Sequence, residues 1–200
     1  MAIDIDEAKV ERNEFGLWLG WTCATALGML LGYLPIAAVI GDLDLGIARV
    51  IVPILAGLLM GLAQWLVLRD YVTQSRDWIL YHAGGWVVGY SLGLFVVQAL
   101  SKIPFGALFG FLLFGAIIAI FQWPILRREI PHILPWVLAN MIGWMLGALV
   151  SQLVAGALFS RTPATLIVST IVTVGITGLI AGGITAVALI WIVRKPDRSV

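Results

Sequence analysis

Gln64, His82, Gln122 and Asn140 bring three amides and one imidazole into stretches that are otherwise almost wholly apolar. An unpaired polar group in hydrocarbon is costly, so such side chains must find partners. Two chemistries fit them. The plainer is a hydrogen-bonded cluster that fixes how helices pack, each bond contributing about 1 kcal/mol in lipid. The other is a ligand site, because imidazole and amide groups in an apolar cavity can ligate a tetrapyrrole metal or hold a lipid or quinone headgroup. Catalysis fits poorly. The chain has no pair of intramembrane carboxylates, no H-E-x-x-H and no G-x-S-x-G elbow. Two histidines and the single Cys23 do not make a zinc site. No ionisable group stands near mid-span, as an ion-coupled transporter would require. The expectation is a protein that is not an enzyme.

The elements that must position these residues are membrane spans. The chain has 200 residues, 61% hydrophobic and 12% charged, and a mean hydropathy of +1.03, which excludes an ordinary soluble domain. Six apolar stretches reach the roughly 20 residues that a crossing needs: 15–38, 50–68, 78–100, 104–126, 135–159 and 164–193. Their charges sit at the edges. Residues 1–14 form an acidic tail without the basic start of a signal peptide, and 196–200 a short C-terminal tail. Cys23, within the first span, reads as a small packing residue. A net charge of +1 leaves no footprint for nucleic acid.

The spans repeat. Residues 57–69, GLLMGLAQWLVLR, return at 115–127 as GAIIAIFQWPILR, with Gly57, Gln64, Trp65, Leu68 and Arg69 on Gly115, Gln122, Trp123, Leu126 and Arg127. A degraded third copy covers 183–195, where Ile190 takes the place of the glutamine and Lys195 that of the arginine. The intervening spans align on Trp21, Trp86 and Trp144. Glycine precedes each tryptophan (Gly20, Gly85, Gly143), and small residues follow it, among them Gly89, Gly147, Gly28 and Gly93. Four-residue steps put small side chains on one helix face, where two backbones can approach closely. Gln64 shares such a face with Gly57 and Gly61. In this alignment the position four before each tryptophan holds Leu17, His82 and Asn140, and a rise of 1.5 Å per residue puts His82 and Asn140 at the depth of the two glutamines. A polar layer inside the bundle is the expectation.

The fold class that follows is an all-α membrane protein: six transmembrane helices in three parallel two-helix repeats (15–69, 78–127, 135–195) with pseudo-threefold symmetry. Nine basic residues at one end against three at the other place both termini in the cytoplasm. Trp65 with Arg69, Trp123 with Arg127, and Trp191 with Lys195 then read as interfacial anchors, indole at headgroup level and cation snorkelling to water. Pro124 is expected to kink or loosen the end of its helix. His132, Gln98 and Gln152 read as solvated, while Ser91, Thr173, Thr177 and Thr185 can bond their own helix backbone.

The segments GLAQWLVLRDYV, RDWILYHAGGWVVGYSLG and PWVLANMIGWMLGALVSQ resemble multi-pass bacterial membrane proteins, frequent in cyanobacteria and Chloroflexi-like lineages. Those proteins repeat a Gln-Trp-Leu-x-Leu-Arg end followed by a Gly-Trp-x-x-Gly start. The resemblance covers most of 14–195 and departs at Ile190. It implies a fold and a bacterial cytoplasmic membrane, or a thylakoid in a phototroph, but no mechanism. The leading expectation is a non-catalytic scaffold or accessory subunit that meets the bilayer, other membrane subunits or a second copy of itself. The alternatives are a binder of lipid, quinone, carotenoid or chlorophyll, and a passive pathway for a small solute.

Overall fold

The computed structural model describes residues 13–39, 45–72, 75–127, 132–159 and 163–193. Residues 1–12 of the acidic tail, 40–44, 73–74, 128–131, 160–162 and the residues after Val193, Lys195 among them, lie outside the described residues. Six helices make up the described chain: α1 (Glu14–Val39), α2 (Leu45–Leu68), α3 (Trp78–Ala99), α4 (Gly106–Leu126), α5 (Leu134–Leu158) and α6 (Pro163–Val193). A single 3-10 turn, Ser75–Asp77, leads into α3. No strand occurs among the described residues. Each helix contains a stretch long and apolar enough to cross a bilayer, where a helix satisfies its own backbone groups without water. This is a multi-pass membrane protein. Leucines and other large apolar side chains, such as Leu27, Leu66, Leu80, Phe95, Leu153 and Val187, point outward from all around the bundle. That is the surface lipid requires.

Helix ends follow local chemistry. Proline stands at the first turn of α5 and opens α6, where its missing N–H costs nothing. Phe105 adopts a left-handed backbone conformation (φ 60°) to turn the chain into α4. The helix α4 runs on through Pro124 to Leu126.

Each helix packs on its two neighbours in the chain, and α6 returns to α1, so the six form a closed ring. Small residues bring the backbones together at all six junctions. A methyl group on Gly28 would lie 2.5 Å from the Met60 Cα, and one on Gly57 2.8 Å from the Ala83 Cα. The same crowding holds for Gly85 against Ile118, Gly115 against Asn140, Gly147 against Thr177, and Gly178 against Ala26. Gly61, Gly89, Gly93 and Gly143 also face a neighbouring helix closely. Gly20 does not: a methyl there would meet only the Val67 side chain, at 3.6 Å, so it is not the packing glycine that its place before Trp21 suggested. Cys23 is corrected too. It faces outward, because the close-packed face of α1 runs through Ala24 and Gly28.

Gly57→Val places two extra methyl groups against the α3 backbone and is expected to destabilise by about 1–3 kcal/mol. Gly156→Val, where nothing lies within 4 Å, is expected to change nothing measurable. Thermal unfolding of both proteins in the same detergent distinguishes them.

Candidate functional site

The axis of the ring is filled in layers. Nearest the start of α1, Trp21, Trp78 and Trp136 form a triangle of fully buried indoles. Their ring centroids are 5.7, 6.2 and 6.4 Å apart and their planes cross at 71°, 67° and 64°, the edge-to-face arrangement that aromatic quadrupoles favour. The three tryptophans come from α1, α3 and α5. Each indole N–H is turned to a polar acceptor on the helix that precedes its own around the ring. Trp78 Nε1 donates to Gln64 Oε1 at 3.1 Å, Trp136 Nε1 to Gln122 Oε1 at 2.9 Å, and Trp21 Nε1 to Thr185 Oγ1 at 3.0 Å.

The polar layer lies against this triangle. With its carbonyl taken by Trp78, Gln64 donates from Nε2 to Thr25 Oγ1 at 3.0 Å. With its carbonyl taken by Trp136, Gln122 turns Nε2 to His82 Nδ1 at 2.8 Å. The other nitrogen of His82 accepts from Trp86 Nε1 at 2.9 Å. The imidazole therefore sits between an indole and an amide, and because a neutral ring has a single acceptor nitrogen, only one of these two contacts is a donation to the ring. Asn140 donates to the Trp136 carbonyl of its own helix at 3.0 Å. All four side chains singled out in the sequence line one central void, with Thr25 and Thr185 beside them. The void is about 10 Å³, room for one water molecule at most. No headgroup or tetrapyrrole fits there.

Two features of the layer depart from the sequence reading. Trp21 packs with Trp78 and Trp136, rather than standing in the place of Trp86 and Trp144. Thr185, not Ile190, receives the indole in the third hairpin. The signal was present in the sequence: Thr25 follows Trp21 by four, as His82 follows Trp78 and Asn140 follows Trp136. Gly28, Gly85 and Gly143 each follow the same three tryptophans by seven.

Four residues on from His82 and Asn140, about 6 Å along α3 and α5, Trp86 and Trp144 join Phe114 of α4 in a second aromatic layer, with centroids 5.0, 5.7 and 4.9 Å apart. Beyond it the ring opens. A cavity of about 390 Å³ lies between α1, α3, α4, α5 and α6, at the end of the bundle remote from the chain termini. Its walls are mainly apolar. Tyr33, Tyr90, Ser151, Gln152, Thr173 and Thr177 supply its polar groups. Gln152 is exposed, as a solvated position requires, and stands at the edge of this cavity, while Thr177 does more than bond its own turn: its hydroxyl lies 2.9 Å from Ser151 Oγ across the α5–α6 junction. Nothing in the periodicity of the sequence marks this space, because a cavity is a shortage of side-chain volume between five helices.

The expected anchors divide. Arg69 and Arg127 are exposed, and the Arg69 guanidinium sits 5.8 Å from the centre of the Trp65 ring. Trp65 and Trp123 are half-buried against the core rather than standing free at the boundary. Trp65 Nε1 is the one buried side-chain polar atom without a partner among the described residues. Trp191 is exposed. His132 and Gln98 are exposed, as a solvated position requires. No group of three or more His, Cys, Asp or Glu that could hold a metal occurs among the described residues. Comparison with protein families, curated proteins and solved structures gives no match for this chain.

Gln122→Leu leaves the Trp136 indole and the facing side of His82 without their partner. It is expected to cost about 1–3 kcal/mol, whereas Gln98→Leu at the exposed end of α3 is expected to cost nothing. Reversible unfolding in mixed micelles measures both.

Proposed function

We propose that this membrane protein is a receptacle for one small, neutral, hydrophobic molecule, held in the half of the bundle that the packed layers leave open. The observation that carries this reading is the 390 Å³ cavity with its few polar groups, within the range of specific small-molecule sites. At interior packing density it takes about twenty non-hydrogen atoms. Chlorophyll and full-length carotenoids exceed that. The two aromatic layers and the polar layer close the axis on the side of the termini, which favours a blind cup over a pathway for solutes. The glycine faces that a scaffold would offer to partner subunits are used at the six junctions within one chain, which weakens that reading.

The architecture we infer is three parallel hairpins around an axis along the membrane normal, with both termini in the cytoplasm. Its support is the recurrence of one indole-to-acceptor bond at Trp21, Trp78 and Trp136, together with the excess of basic residues at the end where the termini lie. In that orientation the cup faces away from the cytoplasm, and its contents come from the outer leaflet.

Mass spectrometry of an organic extract from protein purified in mild detergent tests the reading. One equivalent of a small lipid-soluble compound is expected with the native chain. Ala107→Phe, which projects a ring into the cavity from α4, is expected to abolish it while the unfolding temperature holds within a few degrees. An extract free of any such compound from native protein would contradict the proposal.

A further inference from the structure

The walls of the cup narrow the chemical class of its occupant, an inference that rests on the proposed receptacle. Six aromatic rings line the space: Tyr33, Trp86, Tyr90, Phe111, Phe114 and Trp144. An acyl chain needs no such surface, since leucine and valine would serve it equally. A flat ring gains from it, because offset and edge-to-face contacts add to simple burial. On the α5–α6 side stand Ser151, Gln152, Thr173 and Thr177. Ser151 Oγ donates to the Ala148 carbonyl at 3.1 Å, and the Thr177 hydroxyl is within 2.8 Å of the Thr173 carbonyl. Ser151 is fully buried and its oxygen lies 2.9 Å from the Thr177 hydroxyl, so of this pair only Thr177 can offer a lone pair to a ligand O–H. The Gln152 amide adds N–H groups that suit a ligand carbonyl.

Charge is decisive. No Asp, Glu, Lys, Arg or His lines the cavity, so a carboxylate, phosphate or ammonium inside it would be desolvated without a counter-ion. Free fatty acids and phospholipid headgroups are disfavoured, and a neutral ring bearing oxygen is favoured. The volume suits such a ring with the first part of a tail, and the cavity is partly open rather than enclosed.

We propose that the occupant is the ring of a prenylated quinone or its quinol, seated among the six aromatic side chains with its oxygens toward Gln152 and Thr177. The full-length protein in lipid nanodiscs can be titrated with decylubiquinone while its tryptophan fluorescence is followed, since Trp86 and Trp144 would lie against the quenching ring. Saturable quenching at one equivalent is expected. Ala107→Phe should remove the saturable part, and Gln152→Leu should weaken binding about five- to tenfold by deleting one hydrogen-bonding group. A parallel titration with monoolein, read by native mass spectrometry, separates the two levels of the argument. If monoolein binds one to one and is blocked by Ala107→Phe while the quinone only partitions linearly, the quinone assignment falls and the receptacle stands. If neither binds saturably, both fall.

Discussion

An indole N–H inside a lipid-embedded bundle has no water to turn to, and this constraint organises the molecule. Three tryptophans point at one another around a common axis, and each needs an acceptor at its edge. Glutamine supplies it twice and threonine once. A glutamine that accepts at its carbonyl must then place its amide nitrogen: Gln64 donates to Thr25, and Gln122 sets its amide against His82 Nδ1. Helix positions, rotations and depths are tied together by these few bonds. The glycines let the helices come close enough to make them.

The same layers account for the uneven filling of the axis. Around the triangle and the polar layer the side chains leave room for no more than a water molecule. Past Trp86, Phe114 and Trp144 the space between helices is no longer filled. Gly93 and Gly110, at its wall, are spent on bringing α3 against α4.

Much of this was legible in the sequence, and what was missed was missed for identifiable reasons. The six spans were readable because a bilayer demands long apolar runs, and the stretch 104–126 ends with α4 at Leu126. Gln64, His82, Gln122 and Asn140 stood out because amides and imidazole are rare in such runs. The register of the first hairpin was not readable from its most conspicuous motif. Tryptophan occurs eight residues apart in the second and third hairpins, and Trp21 could match either member of the pair. Pairing by Gly-Trp chose Trp86, whereas burial against the axis selects Trp78. The last helix misled through a similar coincidence, since Trp191 mimics the Gln-Trp end while the acceptor stands six residues before it, at Thr185. Cavity walls leave no periodic mark, and Ser151, Gln152 and Thr177 resembled ordinary helix-end polar residues.

A density map of the protein in lipid nanodiscs bears most directly on the central claim, that the axis is solid on the side of the termini and open on the other. The account predicts continuous side-chain density from the Trp21–Trp78–Trp136 triangle through Gln122 and His82, and non-protein density between Tyr33, Trp144 and Gln152. A channel running through the polar layer, or an outer half collapsed upon itself with no room for a guest, would contradict it.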